Sequence, residues 1–254
     1  MILEVEHIIC KYGGVVAVDD ASFSVAKGAI TALIGPNGAG KTTALNIISG
    51  MTVATEGRVR FAGSDIIGLR ADQICRLGIA RTFQTPQSFG SMTVKDNVFV
   101  GTTPLGTAGI IGVALRLPRV RREEARFRSE ADTCLDLVGI RTLADEQLGT
   151  LPFGTLRLAE LARALASRPK LLLMDEPASG LSRVETQNLR QVLLRIRETG
   201  TTILLVEHNM SLVMSTAEHI YVLNKGQLIA RGTPCEIQAD VLVQKAYLGT
   251  AAHA

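Results

Sequence analysis

The sequence has no apolar stretch long enough to cross a membrane. Its longest runs, such as GIIGVAL at 109–115, fall far short of the ~20 residues a spanning helix needs. A role at a membrane would therefore require docking onto something that spans it. Paired cysteines are also missing. Cys10, Cys75, Cys134 and Cys235 are far apart and form no CxxC pair. That argues against a disulfide frame or zinc site and for reduced thiols in a cytosolic protein. The start, MILEVEHII, carries acidic residues and no basic n-region, so no signal peptide is expected. No single sign of charge dominates. A net charge of +3 with mixed signs is too weak to argue for nucleic acid. Internal repeats and low-complexity segments are absent. What is present is a chain of 254 residues, 46% hydrophobic and 20% charged. It can bury a full core as one large α/β domain, or as a core with one insertion, and disorder is not expected.

Periodicity divides the chain. LEVEHII (3–9) alternates, as does ASFSVAKG (21–28) after a turn at Gly13–Gly14, so both read as strands. AITALI (29–34) is continuously apolar, as a buried strand should be. It runs into a glycine-rich turn, and TALNIISG then reads as a helix ended by Gly50. GRVRFAG (57–63) is another short strand. From about residue 86 to 160 the spacing turns helical. VKDNVFVG, RREEARFRSEADTCLDLVG and LRLAELARALA carry it, and PLGTAGIIGVALRLPRV between them reads as a loop with a short apolar helix. Strands return with KLLLMD (170–175), TTILLVEH (201–208) and HIYVLN (219–224). A helix at about 183–198 lies between the first two, and GQLIARG (226–232) pairs back as a hairpin. PCEIQADVLVQKAYLG reads as one last helix. Strands alternating with helices predict a mainly parallel sheet with crossovers, interrupted by a helical subdomain.

Chemistry is concentrated in three places. GPNGAGKTT fits G-x-x-x-x-G-K-[ST] with Gly35, Gly40, Lys41 and Thr42. It leaves a buried strand and opens a helix. The backbone of Gly35, Pro36, Asn37, Gly38, Ala39 and Gly40 can wrap phosphate oxygens. The helix start adds a favourable dipole. Lys41 supplies a charge to the β- and γ-phosphates, the Thr42 hydroxyl can ligate Mg²⁺, and Thr43 completes the motif. In LLLMDE (171–176) two acids close an apolar run, which is costly unless they have work or partners. Alone this would be a strand meeting solvent. Beside a P-loop, Asp175 can hold Mg²⁺ through water, and Glu176 can orient or deprotonate the attacking water. His208 ends a third buried strand, where a neutral imidazole can bond the γ-phosphate and the base carboxylate. Gln84 in ARTFQTPQ and Tyr12 in KYGG are weaker signals. By themselves they read as a loop glutamine and a surface tyrosine. An amide there can touch a metal-bound water, and an aromatic can stack on a base.

Tyr12, GPNGAGKTT, Gln84, LPFGT (151–155), LLLMDEP, SGLS (179–182) and His208 occur in the order of the ATP-binding-cassette family. The chain resembles that family over nearly its whole length. The resemblance implies an α/β fold: a P-loop ATPase core with a mainly parallel sheet, an antiparallel β part and an inserted helical subdomain. Residues 1–85 and 161–233 would form the core, 86–160 the helical subdomain, and 234–254 a C-terminal helix and tail. It implies a Mg-dependent ATPase with ATP and Mg²⁺ as ligands. Glu176, His208 and Gln84 would be catalytic, and Thr42, Gln84 and Asp175 would serve the metal. Two cassettes would close head-to-tail, with ATP between the P-loop of one and the signature of the other. Here Leu151, Pro152, Phe153, Gly154 and Thr155 would be the signature, and Ser179, Gly180, Leu181 and Ser182 the D-loop. RTFQ, the 101–122 insert, DEPASGL, TTILLVEHNMSLVM, HIYVLNKGQLIARGTP and AYLG resemble the larger ATPase of bacterial branched-chain amino-acid importers. That type works with a second ATPase, two membrane permeases and a solute-binding protein, at the cytoplasmic face of the membrane, without nucleic acid. A homodimer, a urea or other amide solute, and a soluble ATP-gated switch remain alternatives.

The departures matter. Pro152 stands where the family carries serine, so a hydroxyl and an N–H are lost. Phe153 stands at a glycine position, in keeping with an aromatic that is familiar there in this subtype. Thr155 and Leu156 replace glutamines, and Ser182 an aspartate. A weakened signature half-site is expected, acting on the partner's ATP, while the chain's own Walker site is intact. LRLPRVRREEARFR has six arginines within residues 116–128. It reads as a solvated helix with Glu123 and Glu124 as internal partners, or as a contact for permease loops or anionic headgroups.

Overall fold

Strands with apolar residues on both faces belong in the middle of a layered structure, and three segments here are of that kind. In the computed structural model, which describes residues 1–84, 89–106 and 118–251 (main chain only for 248–251), they form β3 (Ile30–Ile34), β7 (Leu171–Asp175) and β8 (Thr202–Val206), buried at every position. With β6 (Ile79–Thr82), β9 (His219–Asn224) and β10 (Gln227–Gly232) they make a six-stranded sheet in the order β10-β9-β3-β8-β7-β6. β9, β3, β8, β7 and β6 run parallel, and only β10 pairs antiparallel, with β9. A second sheet, antiparallel throughout, has the order β2-β1-β4-β5, from β1 (Leu3–Tyr12), β2 (Val15–Val25), β4 (Glu56–Phe61) and β5 (Ser64–Asp65).

Alternation along the strands decides what each face meets. Leu171 and Leu173 of β7 face the antiparallel sheet and α1 (Lys41–Ile48), with Leu45, Ile48, Val5 and Phe23. Leu172 and Met174 face the helical side. There they meet α3 (Val94–Val100), α4 (Pro118–Val138), α5 (Phe153–Ala166) and α6 (Arg183–Glu198). α2 (Ala71–Leu77) leads into β6. Each leucine buried in this way contributes about 1.5–3 kcal/mol relative to exposure. A third cluster joins β3 and β9 to α7 (Met210–Thr216), α8 (Pro234–Ala239) and α9 (Val241–Ala251).

The structure departs from the pattern reading in three places. β2 starts at Val15 rather than residue 21. α2 and β6 form where no element was expected, because both are too short for a period to show. α5 runs unbroken to Ala166, as the spacing of LRLAELARALA predicts, and so continues past residue 160. The C-terminal segment is two helices, not one. Asp240 breaks it in extended conformation and accepts from Leu242 N–H at 2.7 Å and Val243 N–H at 3.2 Å, as an N-cap does. The apolar helix expected within 104–120 lies largely outside the described residues.

Candidate functional site

In an open α/β sheet, ligands bind beyond the carboxyl ends of the parallel strands. Four adjacent strands deliver chemistry to that edge here. β3 ends at Ile34 and opens the loop 35–40, and β8 leads to Glu207 and His208. β7 ends at Asp175 with Glu176 next, and β6 leads to Phe83 and Gln84. Residues 84 to 208 thus meet through strand order rather than through sequence proximity.

The loop has the backbone that close packing demands. Gly35 (φ 152°) and Gly40 (φ 99°) occupy a region that L side chains rarely adopt. A Cβ would stand 2.1 Å from Leu223 O at the first and 2.4 Å from Ala17 O at the second. Lys41 opens α1 and is buried, and its Nζ donates to the Gly35 and Pro36 carbonyls at 2.8 and 2.9 Å. Burial lowers its pKa, while Glu176 and Asp175 oppose that shift. A buried ammonium next to helix-start N–H groups suits a phosphate chain. Thr42 is exposed at the second position of α1, and Thr43 follows half-buried.

Asp175 is buried and paired. Its Oδ2 accepts from Arg81 Nη2 at 3.0 Å, and both side chains are under a tenth exposed. Arg81 Nη1 also donates to Asn46 Oδ1 on α1 at 2.7 Å and to Oγ of its C-cap residue Ser49 at 2.8 Å. Burial pushes the Asp175 carboxyl up, with Arg81 opposing. Pattern reading did not single out Arg81; its sole signal was its place in RTFQ. The Thr42 hydroxyl, the Asp175 carboxylate and the Gln84 amide oxygen are hard oxygen donors. That donor set fits Mg²⁺, which keeps much of its water and takes few protein ligands.

Glu176 follows in left-handed conformation (φ 47°), a strain of about 1–3 kcal/mol that functional sites often hold. Gln84 Nε2 donates to its Oε2 at 3.0 Å, and His208 Nδ1 stands 3.6 Å from that oxygen. The second distance is beyond a hydrogen bond. Glu207 is fully buried, and its place at the end of TTILLVE gives it no pattern signal. Its Oε1 accepts from Ala178 N–H at 2.7 Å, and its Oε2 from His208 and Asn209 N–H at 3.0 and 3.1 Å. One carboxylate thus fastens the turn after Glu176 to the turn that carries His208.

Residues 151–155 enter α5, with Pro152 as N-cap and its carbonyl accepting from Thr155 and Leu156 N–H. Phe153 lies under the Arg157 guanidinium at 5.1 Å, and a Cβ on Gly180 would touch its ring at 3.0 Å. The aromatic thus fills space between the two loops. Gly154 packs close to the Glu185 side chain, whose Oε1 would stand 2.2 Å from a Cβ there and would have to move aside for a larger residue. Ser182 caps α6: its Oγ accepts from Glu185 N–H, and Glu185 Oε2 accepts from Ser182 N–H at 2.8 Å. Ser179 and Leu181 lie in the same turn. Tyr12 is half-exposed at the end of β1, its hydroxyl 3.3 Å from Thr52 Oγ1. It pairs with Val15 in the hairpin whose second strand brings Ala17 against Gly40.

The profile of the ABC transporter family matches residues 18–179. The chain belongs to the ABC transporter family. A second profile, described as branched-chain amino acid ATP-binding cassette transporter, matches residues 227–253. The high-affinity branched-chain amino acid transport ATP-binding protein BraF of Pseudomonas aeruginosa is 39% identical over 251 residues, 98% of each chain. LivG of Escherichia coli, of the same description, is 38% identical with the same coverage. A crystal structure of the ADP conformation of an ABC transporter cassette superposes with a TM-score of 0.86 at 34% identity, covering 98% of each chain. A nucleotide-free cassette gives 0.83 at 34%, covering 97% of this chain and 98% of its own. The ABC cassette fold, with its mainly parallel sheet, agrees with the expectation from sequence. Among the described residues no helix is long and apolar enough to cross a membrane.

Proposed function

We propose that this ABC cassette is the ATP-hydrolysing subunit of a membrane importer for branched-chain amino acids. The observation that carries the ATPase reading is the meeting of Gln84, His208 and Glu176 beside the P-loop, two side chains converging on one carboxylate oxygen. Lys41 and the loop amides hold the phosphates. Thr42, Asp175 and Gln84 hold Mg²⁺, which when bound offsets charge on the phosphate oxygens. Glu176 takes or orients the attacking water's hydrogens. Gln84 fixes that carboxylate, and His208 bonds the γ-phosphate. Tyr12 stacks on the base.

The transport reading is supported by likeness to BraF and LivG along 98% of the chain. The cassette pairs head-to-tail with a second ATPase, and residues 151–155 and 179–182 meet the partner's nucleotide. Closure of the pair moves two permeases that receive solute from a binding protein. The cassette sits peripherally on the cytoplasmic face of a bacterial inner membrane.

Affinity purification of the tagged chain from membranes tests this. The expected result is co-purification of two permeases and a second ATPase, Mg-dependent ATP hydrolysis, and leucine uptake that needs the chain. A soluble complex with nucleic acid, or a complex inert toward ATP, would overturn it.

A further inference from the structure

We infer that Arg157 and Glu160 are positioning residues that couple the two ATP sites this chain serves. The inference rests on the reading above, in which residues 151–155 meet the partner's nucleotide and Glu176 serves the chain's own.

Both side chains are buried, one turn apart on α5. Buried charges are costly where packing alone is needed, so the bonds they make matter. Arg157 Nη1 donates to the Phe83 carbonyl at 2.8 Å, and Nη2 donates to the Gln84 carbonyl. Glu160 Oε1 accepts from Phe83 N–H at 3.1 Å. One face of one helix therefore holds the main chain of two consecutive residues by three bonds. The second of these residues puts its side chain on Glu176. At the start of the same helix, Phe153 lies against the same guanidinium. A planar guanidinium can bond two carbonyls and stack on a ring at once, which an ammonium cannot.

The helix start, the clamp and the base carboxylate thus form one connected chain: Phe153, Arg157, Gln84, Glu176. Coupling travels through such linked polar contacts and stiff elements. ATP on the partner's Walker loop bears on the first turn of α5. Arg157 and Glu160 carry that displacement to Gln84, and Gln84 sets the position of Glu176. Hydrolysis at the chain's own site then depends on whether the partner's site is filled.

Two measurements test this. The first is hydrogen exchange at the Phe83 amide in the full chain. It is protected in the wild type, and Glu160→Ala or Arg157→Ala speeds its exchange while β7 amides stay protected. The second is ATP turnover and mant-ATP affinity of the purified complex in a double-mutant cycle with Gln84→Ala. Arg157→Ala slows turnover about tenfold, within the range of coupling residues, and leaves mant-ATP affinity unchanged. Combined with Gln84→Ala it is no slower than Gln84→Ala alone. Arg157→Lys, able to reach one carbonyl, is intermediate. Wild-type turnover in Arg157→Ala and Arg157→Lys, multiplied losses in the double variant, or unchanged Phe83 exchange would each overturn the clamp. An inert wild-type complex overturns the proposed function instead, and the exchange result then decides the clamp by itself.

Discussion

Gln84 donates its side-chain amide to Glu176 Oε2 at 3.0 Å. The bond joins the ends of β6 and β7, 92 residues apart in sequence, and fixes a carboxylate on a strained backbone. As the proposed base, Glu176 should be indispensable to hydrolysis and dispensable for binding. Glu176→Gln keeps the shape and removes the charge. Turnover should fall by about 10²-fold or more while mant-ATP still binds. ATP should also hold the variant in a closed dimer, visible by size exclusion. Unchanged hydrolysis would assign the base elsewhere.

The Arg81–Asp175 pair predicts a stability effect. Removing one member strands a buried charge. Arg81→Ala should therefore lower unfolding free energy by about 3–5 kcal/mol in urea titration. Replacing both, by Arg81→Met with Asp175→Leu, should cost far less, because no unpaired charge remains. A loss well under 1 kcal/mol in Arg81→Ala would mean that water or another group takes Arg81's place.

Glu207 accepts three backbone N–H groups from two turns. Glu207→Gln keeps one acceptor oxygen but turns an NH₂ toward at least one of those donors. The expected cost is about 1–3 kcal/mol for the donors left unsatisfied. Turnover should fall beyond what stability explains, since His208 loses its anchor. Wild-type melting and turnover together would remove Glu207 from any positioning role.

Arg81 and Glu207 mark where sequence reading stops. GPNGAGKTT is legible because its glycines, lysine and threonine act through local backbone. LLLMDE is legible because acids closing an apolar run break a strong pattern. Glu207 stands inside TTILLVEH, where one more polar residue at a strand end carries no signal. Arg157 and Glu160 stand in LRLAEL, where charges at helical spacing read as a solvated face. Their partners are main-chain atoms more than 70 residues away, and main-chain partners leave no trace in residue identity. Strand order, which brings 84, 176 and 208 together, is likewise a property of the assembled sheet. β6, four residues long, is too short for a period to show.

Burial also sets a pH dependence. It pushes the Cys134 thiol from 9.0 up to about 12, with Glu130 adding and Arg168 opposing. A raised folded-state pKa contributes stability that is present below the unfolded value. That stability is lost as pH rises through 9 toward 12, because the unfolded chain ionises first. Cys134→Ala should therefore lose less stability than the wild type across that window in alkaline denaturation. At pH 8, DTNB should label exposed Cys235 quickly and Cys134 only after unfolding. Rapid labelling of Cys134 in the folded chain would contradict its burial.

Pro152 offers the most direct test of the proposed asymmetry between two composite sites. It is the N-cap of α5 and makes no side-chain capping bond. Serine is a preferred N-cap, and its side-chain oxygen can accept from an N–H of the first turn, a gain of about 0.5–2 kcal/mol over a residue that cannot. Pro152→Ser should thus fold at least as well as the wild type. The new hydroxyl would also stand at the helix start, where the partner's γ-phosphate is proposed to lie, and a hydrogen bond to a charged group adds about 1.5–3 kcal/mol. ATP turnover of the assembled heterodimer should rise, through the partner's Walker site. Substituting the Walker lysine of the partner ATPase should abolish that increase. Unchanged or lower turnover in a correctly assembled complex would show that Pro152 does not limit the partner's site.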